Sequence, residues 1–363
     1  MMINVISPLT VAFVVIVLGY AIGKIRFFNI SLDLSAILLV AIIFGFVIAK
    51  CIPNVIDGDF NSAMNSYSKL GTAIFVSVIG ITTGLTLKLS SKKTVLYFII
   101  GSVAVLIGFA VTSLIGYMDI EIDRSVLLGI LSGALTSTPA LSAISERLDV
   151  ISENAVIGYG VAYILGVVIV VISTQITGRN ILKKSITKNE QKAVTVSDGT
   201  WGLILIAICA LIGEMLGNLS LFGYSLGTTG AVLICGIIIG CIIRKSHIRS
   251  SAENVFPIYR NLGLILFFVG NGITAGARLN SNISIKWFLC GILITLVSVM
   301  SVFLICKILI RNKSITPSLI AGSMTSTPAL GVLVKKGYAV DLTAYSISYV
   351  GALLTMTVGI KFV

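Results

Sequence analysis

The sequence predicts an all-α membrane protein made of two halves related by an inverted repeat, with about ten transmembrane helices and two re-entrant hairpins. Three observations carry this expectation. The chain is 56% hydrophobic and 11% charged, with a mean hydropathy of +1.07. Its apolar stretches reach, or pair into, the roughly twenty residues that cross a bilayer. The hexapeptide Thr-Ser-Thr-Pro-Ala-Leu occurs twice, at 136–141 and 325–330. The basic residues collect on one side of the membrane only if each hexapeptide turns the chain back on itself.

The apolar segments set the element count. The first half holds six, at 9–25, 34–49, 70–87, 95–117, 125–144 and 155–175; the second holds six at 201–219, 226–243, 262–279, 287–310, 317–334 and 342–360. Segment 9–25 follows no basic n-region and precedes no small-residue cleavage site, so it is expected to be a retained span. Four landmarks recur in order. Gly19-x3-Gly23 with Ser31-Leu32 matches Gly213-x3-Gly217 with Ser225-Leu226, 194 residues on. Leu70-Gly71 with Gly80–Gly84 matches Leu262-Gly263 with Gly272–Gly276, 192 on. The hexapeptides are 189 apart, and Tyr159-x3-Tyr163 matches Tyr345-x3-Tyr349 at 186. A slowly drifting offset is what small loop deletions produce in a duplicated chain. The expected organisation is a first transmembrane repeat at 1–177, a cytoplasmic linker at 178–199 and a second, inverted repeat at 200–363.

Orientation follows from charge. If every segment crossed, the halves would be parallel and the 26 basic residues would divide between the two sides. If the hexapeptide segments are hairpins, each half crosses five times and the halves are inverted. Most basic residues then fall on the linker side, and Asp119, Glu121 and Asp123 fall on the other. Both termini are expected outside. The net charge of +12 is therefore a topology signal and not a nucleic-acid signal.

The hexapeptides are the candidate site. A hydroxyl residue before Pro is a helix-start pattern, because the hydroxyl accepts from a free first-turn N–H and Pro at the first helical position loses no bond. New helices are thus expected from Pro139 and Pro328. Each would bring free N–H groups and partial positive charge into apolar surroundings. Thr136, Ser137, Thr138, Thr325, Ser326 and Thr327 add hydroxyls without a permanent charge, a set suited to holding and releasing a carboxylate. The plain alternative is that both copies only kink helices. Arg278, at the end of the Gly272–Gly276 motif, is a candidate carboxylate anchor, with an interfacial arginine as its alternative. Glu214, between Gly213 and Gly217, has Tyr20 as its counterpart and so lies outside the duplicated apparatus. Gly80-x3-Gly84 and Gly272-x3-Gly276 are helix-packing spacings, and Thr82 and Thr274 sit between their glycines. Six scattered cysteines and one histidine, His247, offer no metal or disulfide framework. No nucleophile–base pair or nucleotide loop appears, so no enzyme is expected and no cofactor, with Na⁺ left open at the broken-helix carbonyls.

The paired Gly-x-x-Thr-Ser-Thr-Pro-Ala-Leu segments, the Leu-Gly…Gly-Ile-x-x-Gly span and the Gly-Tyr-x3-Tyr motif resemble the aspartate:alanine exchanger family of bacterial transporters. The resemblance covers 9–175 and 201–360. It implies a multi-pass permease of the bacterial inner membrane that works as an antiporter in amino acid or dicarboxylate transport, as a homodimer, by an elevator mechanism. It places the substrate at 136–139 and 325–328. The second copy, nearer Arg278, is expected to hold the carboxylate common to all substrates. A sodium-coupled symporter and a channel are the competing expectations. The linker is too short for the soluble domains that many relatives carry, and no Pro follows Tyr163 or Tyr349.

Overall fold

The computed structural model describes residues 7–27, 30–31, 34–52, 55–56, 58–86, 92–118, 122–147, 151–178, 196–217, 220–221, 224–225, 227–244, 248–277, 284–310, 314–335, 338 and 340–360. The expected linker falls almost wholly outside them, as do Arg278 and His247. The chain divides into two compact units that do not follow the sequence halves. One comprises Met1–Leu85, Ser145–Ile157 and Lys192–Ile283; the other comprises Thr86–Ile144, Gly158–Gln191 and Ser284–Val363. Each unit takes helices from both halves.

The first unit contains α1 (Pro8–Gly23), α2 (Ser35–Cys51), α3 (Gly58–Thr86, to residue 85), α8 (Val196–Gly217), α9 (Gly227–Ile243) and α10 (Ile248–Ala277). Ser7 caps α1 by accepting from Thr10 N–H, and Pro8 opens the helix, as its fixed φ allows. Glycines let these helices touch along their backbones. A Cβ on Gly236 would stand 2.8 Å from Gly80 Cα, and one on Gly84 2.8 Å from Cys241 N. The paired positions advance together, so α3 and α9 run parallel. Gly272 meets Leu38 and Ala41 while Gly276 meets Ile42, so α2 and α10 also run parallel. Gly71 meets Gly263 and Phe267 while Gly270 meets Met64 and Ser68, so α3 and α10 are antiparallel. α2 and α3 therefore point opposite to α9 and α10, respectively, their second-half counterparts. Phe75, Phe267 and Phe268 fill the core between them, with centroids 5.9 Å apart in each contact.

An all-helical reading misses one small feature. Two-residue ladders, β1 (Arg26–Phe27) with β2 (Ile30–Ser31) and β3 (Ser220–Leu221) with β4 (Tyr224–Ser225), follow α1 and α8. They recur at the 194-residue offset of the first landmark. A connection this short closes by local backbone pairing, which hydropathy does not register.

The second unit contains α4 (Lys92–Met118), α5 (Arg124–Ala134), the start of α6 (Thr138–Arg147), most of α7 (Ile151–Gly178), α11 (Ile285–Ile305) with a π-helical turn at Cys306–Ile310, α12 (Thr316–Ser323), α13 (Thr327–Lys335) and α14 (Leu342–Gly359). Asp123, Ser284 and Asp341 cap α5, α11 and α14 through Ser125, Lys286 and Ala344 N–H. Gly158 lies against Val126 and Ile130, and Gly166 against Gly133 and Ala134, so α7 runs parallel to α5. The intervening α6 must return the chain. The second half repeats this. Asp341 N–H donates to Ser318 Oγ at 2.9 Å and Gly322 lies against Tyr345, so α14 runs parallel to α12 and α13 reverses. Gly116 meets Leu127 and Gly108 meets Leu131 and Leu135, which sets α4 antiparallel to α5. Gly101 meets Ser348, Gly351 meets Phe98 and Gly359 meets Phe109, which sets α4 parallel to α14. Hence α5 and α12 point in opposite directions, with their C-terminal ends together.

Among the described residues six helices are long and apolar enough to cross a membrane, within α3, α4, α7, α8, α10 and α11. The helices at Pro8–Gly23, Ala36–Cys51 and Thr228–Ile243 are apolar but shorter. Exposed apolar side chains such as Phe13, Val17, Leu203 and Leu211 cover the outer faces of α1 and α8.

Candidate functional site

Both hexapeptides form the turns of helix–turn–helix hairpins, and the turns are built alike. After α5, Leu135 N–H donates to Leu131 O (3.0 Å), Thr136 N–H to Gly133 O (2.9 Å) and Ser137 N–H to Ser132 O (2.8 Å). After α12, Met324 N–H reaches Ile320 O, Thr325 N–H reaches Gly322 O and Ser326 N–H reaches Ala321 O, at 3.0, 2.8 and 2.8 Å. This paired closure requires a left-handed residue in the position just past the helix, where Gly is usual. Here it is Thr136, with φ 53°, and Thr325, with φ 48°. They are the only non-glycine positive-φ residues among those described. A β-branched residue in this region is strained, and such strain persists only where its surroundings hold it.

The hydroxyl explains the choice of residue. Thr136 Oγ1 donates to Met324 O at 2.6 Å, and Thr325 Oγ1 donates to Leu135 O at 3.0 Å. Each threonine thus satisfies the carbonyl of the residue that ends the other half's helix, one place past its last turn. In a continuous helix the donors to those carbonyls would come from residues 139 and 328, four places on. Both are prolines and have no N–H to give. The motif removes a donor in cis and supplies one in trans. Glycine at both positions would relax the backbone but leave both carbonyls without these donors.

The returning helices start one residue earlier than Pro139 and Pro328. α6 begins at Thr138 and α13 at Thr327, because Ser137 O and Ser326 O accept the first helical bonds from Leu141 and Leu330 N–H, both at 3.3 Å. The serines therefore hold the position just before each helix, and the prolines stand second in each helix. Thr136, Ser137, Pro139, Thr325 and Ser326 are buried, while Thr138 and Pro328 are half-buried. The side chain of Thr327 lies outside the described set. Thr138 Oγ1 shares a 3.0 Å hydrogen bond with the hydroxyl of Tyr159 on α7. Tyr159 is fully buried and stacks on Tyr163 with centroids 5.1 Å apart. Ser298 and Ser323 present buried hydroxyls with no partner among the described residues, and so does Ser137.

The structure brings both hexapeptides together in one unit, while the glycine motifs, Thr82, Thr274 and Glu214 lie in the other; Arg278 is outside the described residues. Gly80 and Gly84 pack on α9, and Gly272 and Gly276 on α2, as small residues in close helix contacts do. Thr82 and Thr274 bond back to their own helices, to Val78 O and Gly270 O. Glu214 is exposed on α8, in the first unit. From sequence Tyr159 is only a repeat landmark. It is core, but its hydroxyl also contacts the first hairpin; the recurrence of Tyr-x3-Tyr beside both hexapeptides was the available signal. Ser298 and Ser323 left no sequence signal, since lone serines in apolar helices are common.

Helices of membrane-crossing length, packed through glycine and interrupted at two matched turns, define a multi-pass membrane protein. The profile of the aspartate–alanine exchanger family, described as a predicted permease membrane region, matches residues 11–179 and 205–363, and the chain belongs to that family. A protein of Rhodopirellula baltica named an uncharacterized transporter is 37% identical over 172 residues, which is 47% of this chain and 29% of that protein. One of Desulfotalea psychrophila, named likewise, is 33% identical over 175 residues, covering 48% of this chain and 29% of its own length. The matches thus span about three tenths of these curated relatives. The sodium–proton antiporter of Methanocaldococcus jannaschii aligns over 98% of this chain and 95% of its own at 18% identity and a TM-score of 0.42. That likeness is too slight to bear on ion coupling.

Proposed function

We propose that this chain is a secondary antiporter that exchanges small carboxylates, amino acids or dicarboxylates, across a bacterial inner membrane. The observation that carries the reading is the pairing of two broken-helix turns in one unit, each presenting a helix N-terminus and uncharged hydroxyls. Such a site attracts an anion through backbone dipoles and can release it. In a bilayer the opposed directions of matched helices correspond to an inverted repeat. The returning α6 and α13 correspond to re-entrant hairpins, tolerated where their turns, at Thr136-Ser137 and Thr325-Ser326, are buried in protein. The cross-bonds join both tips, so they move together, which fits an elevator movement of the hairpin-bearing unit. We assign a homodimer in the lipid bilayer as the working form.

A sodium-coupled symporter would use carbonyls at the broken helices as cation ligands. The carbonyls of Leu135 and Met324, just past α5 and α12, accept threonine hydroxyls instead, which weighs against a cation held there. Counterflow in proteoliposomes separates the alternatives. An exchanger moves labelled L-aspartate or succinate only with a carboxylate on the opposite side. Uptake that needs a sodium gradient and no internal substrate would replace this reading with symport. Flux needing neither would indicate a channel.

A further inference from the structure

The two hairpins share a sequence but differ in hydrogen bonding. Ser326 Oγ accepts from the Ala329 N–H at 3.4 Å, so the N-terminus of α13 is capped by its own residue. Ser137 stands in the matching place on α6, 1% exposed, and its hydroxyl has no partner among the described residues. Ala140, the counterpart of Ala329, makes no matching bond to it. α6 is ten residues long, enough for its N-terminal N–H groups to act together. Thr138 does not fill the gap, since its hydroxyl pairs with Tyr159. Beside this turn, the position of a Cβ on Gly108 lies 3.2 Å from Leu135 Cδ1 and 3.3 Å from Ser298 Oγ. Ser298 is a second fully buried hydroxyl without a partner among the described residues. Buried hydroxyls are almost always satisfied, so an uncapped helix start whose own hydroxyl is bare, with a second bare hydroxyl on the side of Leu135, calls for a ligand that accepts hydrogen bonds.

We propose that the first hairpin, and not the second, receives the carboxylate of the transported molecule, with Ser137 Oγ as its hydroxyl donor at the N-terminus of α6. A carboxylate is an acceptor with several lone-pair sites, matching a hydroxyl and free N–H groups. At the second hairpin, where Ser323 on α12 is likewise bare, it would first have to displace the Ser326 cap. This reverses the assignment that Arg278 suggests from sequence. It rests on the reading of the chain as a carboxylate exchanger.

The test uses the full chain in proteoliposomes, with counterflow of labelled L-aspartate, succinate or L-alanine, whichever the unmodified protein exchanges. Ser137→Ala should raise the half-saturation concentration about tenfold, several times more than Ser326→Ala does. It should leave the melting temperature in detergent unchanged, whereas Ser326→Ala should lower it through loss of a cap. A larger rise in half-saturation for Ser326→Ala, or none for Ser137→Ala, overturns the inference. Failure of the unmodified protein to exchange any of the three overturns the proposed function itself, and the inference with it.

Discussion

The crossed threonine bonds make a quantitative prediction about strain. Thr136→Val keeps side-chain volume and the left-handed backbone but removes the donor to Met324 O. Interhelical hydrogen bonds in membrane proteins average about 0.6 kcal/mol and reach about 1.7. At 2.6 Å and fully enclosed, this one belongs at the upper end, so the valine variant should lose roughly 1–2 kcal/mol. Thr136→Gly loses the same bond but also relieves a left-handed conformation that costs a side-chain-bearing residue about 1–2 kcal/mol. Its net loss should be near zero. The glycine variant is therefore expected to be more stable than the valine variant by about 1 kcal/mol or more, and the same ordering should hold for Thr325→Gly and Thr325→Val. Reversible unfolding in mixed micelles, followed by the fluorescence of Trp201 and Trp287, measures this. The double variant Thr136→Val/Thr325→Val should lose less than the sum of the singles, because either loss loosens the geometry of the other bond. Glycine variants no more stable than valine variants would show that Thr136 and Thr325 are not strained as described. Strict additivity would show that the two tips are not coupled.

Other expectations follow from packing and orientation. Gly236→Val should strongly reduce folded protein, since its Cβ would stand 2.8 Å from Gly80 Cα, whereas Gly58→Ala, with nothing within 4 Å, should not. Tyr159→Phe should keep the stack on Tyr163 and lose only the bond to Thr138, about 0.5–1.5 kcal/mol in unfolding; a much larger loss would mean that the tyrosine hydroxyl holds more than this bond. Glu214→Gln should leave the pH profile of exchange unchanged, as the residue is exposed on α8; abolished flux would make it a coupling site. In a cysteine-free background, a cysteine at Asp57 should react with an impermeant thiol reagent in intact cells, and one within 183–192 should be protected. Labelling of both from outside would refute the inverted orientation.

Several features of this protein are local enough to be read from the chain. Membrane residence follows from hydropathy, because a bilayer selects for runs of apolar residues regardless of partners. Duplication is visible as recurring spacings. The helix breaks at the hexapeptides are legible because proline and hydroxyl residues act on their own backbone within four residues. Even so, the pattern sets the start of α6 one residue late, at Pro139 in place of Thr138, since the choice between Ser137 and Thr138 as the residue before the helix depends on which carbonyl closes the first turn.

Other features arise from contacts between residues far apart in sequence, and local patterns cannot express them. Thr136 reaches a carbonyl 188 residues away, and Thr325 one 190 away. Nothing in either hexapeptide states that its first threonine would adopt a left-handed backbone and spend its hydroxyl on the other half. The grouping of helices into two interleaved units likewise follows from glycine contacts between α3 and α9, α2 and α10, and α4 and α14. Identical hexapeptides also became unequal, with Ser326 capping its helix and Ser137 left without a partner among the described residues. Sequence identity makes two turns alike only as far as their surroundings are alike, and opposed halves place different neighbours around each.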